Sequence, residues 1–223
     1  MGVHFHPSDL RSIELIACVL AIFGIFQFLL LIVLAMIFYP GGYDFFRYYL
    51  SDLGTMRARN REPNPISSAL FSVTFTILGL SLIPFWIIIH RLFAKSTSEK
   101  IFSVIGSVMG FLSTPFVIGV VLYPMDTQFS THEFFAQTYT LVLALAILFF
   151  SVAMVLNQNY PNYVAVISFG LFIIIGVFGV IGFGEFQTLM QKIIFSGFIL
   201  WVLIQIFRIW QLIKPEQFVS SFE

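Results

Sequence analysis

Three polar segments hold the side chains of this chain that could do chemistry. The first, 40–64, contains Asp44, Arg47, Ser51, Asp52, the basic strip Arg57, Arg59 and Arg61, and Asn64. The second runs from Tyr123-Pro124-Met125-Asp126 to Ser130-Thr131-His132-Glu133, and the third is Gly184-Glu185. An arginine offers a planar fork to phosphate, and carboxylates pair with an ammonium group, so this set suits a lipid headgroup. The same groups could do acid–base work: histidine as a residue type changes charge near neutral pH, and His132 could act as a general base oriented by Asp126 or Asp52. A serine hydrolase built on Ser51 or Ser67 lacks a nucleophile-elbow motif. No Gly-rich phosphate loop occurs, so no cofactor is implied.

A metal centre is not implied either. The four histidines are His4, His6, His90 and His132. Zinc sites draw several ligands from tight spacings. His4-Phe5-His6 could take a metal only adventitiously, and no other histidine joins His132.

The elements that position these residues follow from composition. Of 223 residues, 59% are hydrophobic and 10% charged, and the mean hydropathy is +0.96. A soluble domain carries about 25% charged residues, so lipid must cover most of this surface. Eleven basic and eleven acidic side chains leave no net charge, which removes the excess that would draw nucleic acid. One cysteine, Cys18, permits no intrachain disulfide.

Charged residues avoid the windows 15–38, 66–89, 101–122, 134–184 and 193–207. A membrane span needs roughly 20 apolar residues. The fourth window is too long for one and is broken by Asn157-Gln158-Asn159-Tyr160-Pro161-Asn162, a turn signal. The expectation is an all-α, polytopic membrane protein, one domain over 1–223. Its six spans lie near 12–39, 65–93, 99–123, 131–156, 162–184 and 189–213. The backbone must bond internally in lipid, hence helices. The first apolar run exceeds a signal h-region and lacks a small-x-small cleavage site, so it reads as an uncleaved anchor.

An even number of spans puts both termini on one face, side A, with Arg11, Arg91, Lys95, Lys100, Arg208 and Lys214. Side B has Arg47, Arg57, Arg59, Arg61 and Lys192. Basic residues at helix ends place side A in the cytoplasm. The three polar segments then share side B, where Asp44, Arg47, Asp52, Asp126, His132, Glu133 and Glu185 would ring one end of the bundle.

Local signals add detail. The stretch 43–53 predicts a short interfacial helix rich in aromatics, stopped by Gly54. Asn64-Pro65 reads as an N-cap with proline at the first helical position. Ser130 and Glu133 have capping-box spacing. Pro84 and Pro115 predict kinks. Glycines at 170, 176, 179, 182 and 184 suggest close helix approach or a smooth groove for a lipid chain. Tyr39-Pro40 and Tyr123-Pro124, each followed by an aspartate, suggest a repeated hairpin. No ionisable side chain lies near mid-span, which argues against an ion-coupled transporter.

The run Tyr39-Pro40, Leu50-Ser51-Asp52-Leu53-Gly54, Asn64-Pro65 and Leu70-Phe71 resembles the first loop of an uncharacterised prokaryotic membrane family, domain of unknown function 998. Tyr123-Pro124-Met125-Asp126 with His132-Glu133-Phe134-Phe135-Ala136 resembles that family's second signature. The chain is more remotely similar to the FRAG, DRAM and SFK membrane proteins. The resemblance implies six helices, a motif-bearing face centred on Ser51, Asp52, Asn64, Asp126 and His132, and a lipid-linked function. The arginine-rich stretch 57–61 lies outside the pattern. Three readings stay open: a protein binding a lipid headgroup at Arg47, Ser51, Asn64, Glu133, Asp44 and Glu185, in lipid remodelling or redistribution; a membrane lipid hydrolase or transferase using His132 with Asp126 or Asp52; and an assembly partner that docks another protein through 40–64. Oligomeric state is not legible.

Overall fold

A computed structural model describes the backbone of residues 7–213 and the side chains of 12–211; His4, His6 and Lys214 lie outside this range, as does the Arg11 side chain. Helices α1 (Pro7–Ile37), α2 (Pro65–Ser81), α3 (Ile83–Ile88), α4 (Thr97–Leu122), α5 (Phe129–Leu156), α6 (Asn162–Val180) and α7 (Gln187–Ile213) follow one another, joined in part by short 3₁₀ turns. Six helical stretches are long and apolar enough to cross a membrane. The second, Pro65–Leu92, is α2, α3 and a terminal 3₁₀ turn in series. It breaks at Leu82 because Pro84 has no N–H to give the carbonyl four residues back. At Pro115, by contrast, α4 continues without interruption.

The spans close a ring. α1 packs on α2 and α7, α2 on α4, α4 on α5, α5 on α6, and α6 on α7. Large apolar side chains such as Phe26, Ile37, Val166 and Val180 point outward, as lipid solvation allows. Inside, the two ends differ. The side-A half is filled by Trp86, Trp201, Phe150, Phe93 and Tyr160, whose ring centroids lie 5.3–6.4 Å apart. The side-B half holds a second aromatic group, Phe28, Phe71, Phe75 and Phe195, with centroids 4.5–5.4 Å apart, beside a small cavity.

Small residues make this packing possible on α4. A Cβ on Gly110 would stand 2.2 Å from the Trp86 ring, and one on Gly106 would stand 2.9 Å from Phe150. Gly106 and Gly110 form a small-xxx-small pair. The α6 glycines do otherwise: a Cβ on Gly170, Gly176 or Gly179 would meet nothing within 4 Å. The close approach expected there is made on α4 instead, and those α6 positions leave space open.

Candidate functional site: a loop-capped cavity at one end of the bundle

After Tyr39-Pro40 the chain turns through Gly41 and Gly42 at φ +77° and +88°, a conformation open to glycine at little cost. The expected helix over 43–53 is reduced to a turn at 44–47 and a 3₁₀ helix, Leu50–Gly54, all five of whose residues are buried. Asp44 explains the turn: its Oδ1 accepts from the Phe46 and Arg47 amides at 3.0 and 3.2 Å, an Asx arrangement that competes with helix. The start of α7 then pins the loop. Gln191 Oε1 accepts from the Leu50 amide at 2.9 Å, Thr188 donates to the Phe46 carbonyl, and Lys192 Nζ donates to the Tyr48 carbonyl. Tyr43 donates to the Tyr48 and Tyr49 carbonyls. Burial, reinforced by the nearby Asp52 carboxylate, pushes the Tyr43 phenol above its ordinary range, so it remains a donor.

Asp52 is the electrostatic centre of this loop. Its side chain, 3% exposed, receives Arg59 through Nε at 2.9 Å and Nη2 at 3.0 Å. The Tyr49 amide donates to it at 2.7 Å. The hydrogen bond to Asp52, ahead of the opposing effect of burial, raises the Arg59 pKa. Arg59 also lies over the Tyr48 ring, and its amide donates to Tyr39 Oη at 3.0 Å. The basic strip is therefore a tight turn, bridged between Arg57 and Pro63 with Arg61 at φ +69°. Its middle arginine serves the loop.

Asn64 precedes α2, and Pro65 is the first helical residue, but the Asn64 side chain makes no cap bond. It reaches back to the Leu53 and Thr55 carbonyls at 3.1 and 3.0 Å. Ser67 and Ser68 bond the Leu53 and Gly54 carbonyls. The 3₁₀ helix is thus stitched onto α2. Gly54 is needed there for contact: a Cβ would stand 2.4 Å from the Phe71 ring.

The second loop fastens to the first. Asp126 accepts from the Met56 and Arg57 amides, both at 3.0 Å, and Ser51 Oγ lies 3.7 Å from Met125 Sδ. Helix α5 begins at Phe129 with Gln128 as its N-cap and no side-chain cap bond. The Ser130–Glu133 capping box therefore does not form, since Ser130 already lies inside the helix. Glu133 instead accepts from Gln137 one turn on, at 3.1 Å. His132 is buried, with Nδ1 2.8 Å from the Tyr123 carbonyl.

These placements correct two expectations. The seven polar residues do not form one ring facing a common ligand. Asp44 and Arg47 make an exposed 3.8 Å pair with each other, Glu133 and Glu185 are exposed, and Asp52, Asn64 and Asp126 bond the loops. The His132–carboxylate dyad needed by the enzyme reading is absent among the described residues, because Asp52 serves Arg59 and Tyr49, Asp126 serves two amides, and His132 serves Tyr123. The repeat of Tyr-Pro with aspartate is similarly divergent. Both aspartates accept two successive amides, yet Asp44 closes its own turn while Asp126 holds the other loop.

Ser51 and His132 are the expected site residues that face a common space. Both line a cavity of about 110 Å³ in the side-B half of the bundle, with Gln191 as a third polar group at that end. Its walls, from Leu50, Phe71, Val120, Leu143, Ile175 and Phe195 among others, are apolar, and Tyr139 and Thr140 lie part-way down. His132 and Leu143 are separated along α5 by about 16 Å, at a rise of about 1.5 Å per residue. Gln191 was missed in the sequence; its signal was a glutamine one turn inside α7, beside the charged Lys192. Among the described residues, no three His, Cys, Asp or Glu side chains gather to hold a metal ion.

Six spanning helices around a loop-capped cavity define a multi-pass integral membrane protein. The chain belongs to the family described as Protein of unknown function (DUF998), whose model matches residues 22–212. No curated protein and no solved structure matches it, so the remoter likeness to the FRAG, DRAM and SFK proteins is carried no further.

Proposed function

We propose that this protein binds a membrane lipid at the side-B end of the bundle, with the polar end of the lipid beside Ser51, His132 and Gln191 and an apolar chain in the cavity below. The observation that carries this reading is the division of the cavity into a polar end and apolar walls, the lining an amphiphile requires. Such a site fits a role in lipid remodelling or redistribution. The basic residues at the ends of the spans on side A orient the termini to the cytoplasm and the cavity to the opposite leaflet.

Native mass spectrometry of the gently solubilised protein tests the reading, with wild type beside Ala136→Phe, which places a ring in the cavity. A lipid adduct kept by wild type and lost by the variant is the expected result. Equal lipid content in both overturns it.

A further inference from the structure

We infer that the cavity selects a single-chain lipid whose polar end is uncharged and carries hydroxyl groups, a monoacylglycerol being the simplest example, over any phospholipid. This inference rests on the lipid-binding reading above and narrows it to a chemical class.

Charge is the first argument. No aspartate, glutamate, lysine or arginine lines the cavity, and the charged groups around its polar end are occupied. Both Asp52 oxygens and both Asp126 oxygens have donors, and Lys192, outside the lining, is held in the loop by the Tyr48 and Thr188 carbonyls and the Tyr43 and Phe45 rings. A phosphate or quaternary ammonium group brought into the cavity would lose water and meet no charged side chain in its lining, a cost of several kcal/mol.

Volume is the second. At about 110 Å³ the space is below the roughly 150 Å³ of an engineered cavity that takes one benzene. It has room for one slender chain segment and not for two side by side.

The third is the hydrogen-bonding pattern of the polar end. A carbonyl can only accept, so the His132 nitrogen against the Tyr123 carbonyl, Nδ1, must carry the proton. In the neutral ring Nε2 is then an acceptor. Gln191 spends its oxygen on the Leu50 amide, while its amide nitrogen donates to no group among the described residues, so it is available as a donor. Ser51 has only the weak contact to Met125 Sδ, and its hydroxyl can both give and accept. An acceptor, a donor and a hydroxyl complement an alcohol or a diol. A fatty-acid carboxylate, which only accepts, would meet the His132 lone pair unfavourably.

The test uses the delipidated full-length protein in detergent at pH 8, with monoolein, oleate, lysophosphatidylcholine and a two-chain phosphatidylethanolamine compared by native mass spectrometry titration. Monoolein is expected to bind at least tenfold more tightly than the other three. Gln191→Glu keeps an oxygen for the Leu50 amide and removes the free donor, so it should weaken monoolein about fivefold to tenfold. Glu185→Ala, on the exposed loop, should leave monoolein binding unchanged. Equal or tighter binding of a charged-head lipid, still lost in Ala136→Phe, overturns the selectivity and leaves the lipid cavity standing. Binding that Ala136→Phe does not alter for any of the four overturns both.

Discussion

Arg59 closes on Asp52 with two parallel hydrogen bonds, Nε to Oδ1 at 2.9 Å and Nη2 to Oδ2 at 3.0 Å, although one partner is buried and the other half exposed. That asymmetry sets different consequences for losing each partner. Arg59→Ala strands a buried carboxylate and should cost about 3 kcal/mol. Asp52→Asn leaves an amide oxygen for the Tyr49 amide and lets Arg59 turn to water, so it should cost about 1 kcal/mol. Unfolding midpoints of the two variants in one detergent test the order; Asp52→Asn being the worse would contradict it.

Asp126 ties the two loops together through the Met56 and Arg57 amides. These bonds are exposed, so Asp126→Ala should lower global stability by only about 1 kcal/mol. Its larger effect should be local. Hydrogen exchange should quicken over 55–63 and stay unchanged in α4 and α5. Unaltered exchange in that loop would mean that Asp126 holds nothing.

Gly54 stands where a methyl group would meet the Phe71 ring at 2.4 Å. Gly54→Ala should therefore cost about 1–3 kcal/mol by overpacking. Gly54→Ala combined with Phe71→Leu should recover part of the loss, because the obstacle is a side chain of the cavity wall. Thermal unfolding of the single and double variants gives the comparison, and no recovery would assign the cost to the backbone.

The Tyr43 phenol has a pKa raised by burial and by Asp52. The folded state therefore holds this proton more tightly than the unfolded chain. Its contribution is complete below the ordinary tyrosine range near pH 10 and is lost as pH rises from there towards the folded value. Wild type should lose stability more steeply above about pH 10 than Tyr43→Phe, which has no proton to lose. Parallel slopes in an alkaline denaturation series would contradict this assignment.

The spans were legible because lipid imposes a length and bars charge, and both rules act on contiguous residues. The five charge-free windows and the Asn157–Pro161 break sufficed for six helices. The site was legible only as a set of segments. Asp126 finds its partners 69 and 70 positions away, and Gln191 finds Leu50 across 141. No local periodicity encodes such pairings, so ligand-facing and loop-fastening side chains look alike in the sequence. Arg59 shows this most clearly: in a row of three arginines, its bond to Asp52 depends on a turn set by Arg61 at φ +69°. The α6 glycines mislead for a related reason, since composition gives no hint of which helix comes near them, whereas Gly106 and Gly110 carried a readable spacing.

The cavity as a lipid site is tested most directly by photo-crosslinking in membranes with a lipid bearing a diazirine on its acyl chain, followed by mapping of the modified peptides. The account predicts labels on inward residues of the cavity wall, such as Val120, Tyr139, Leu143 and Phe195, that disappear in Ala136→Phe. Labels confined to outward residues such as Phe26, Ile37 and Val166, the same in wild type and variant, would contradict it.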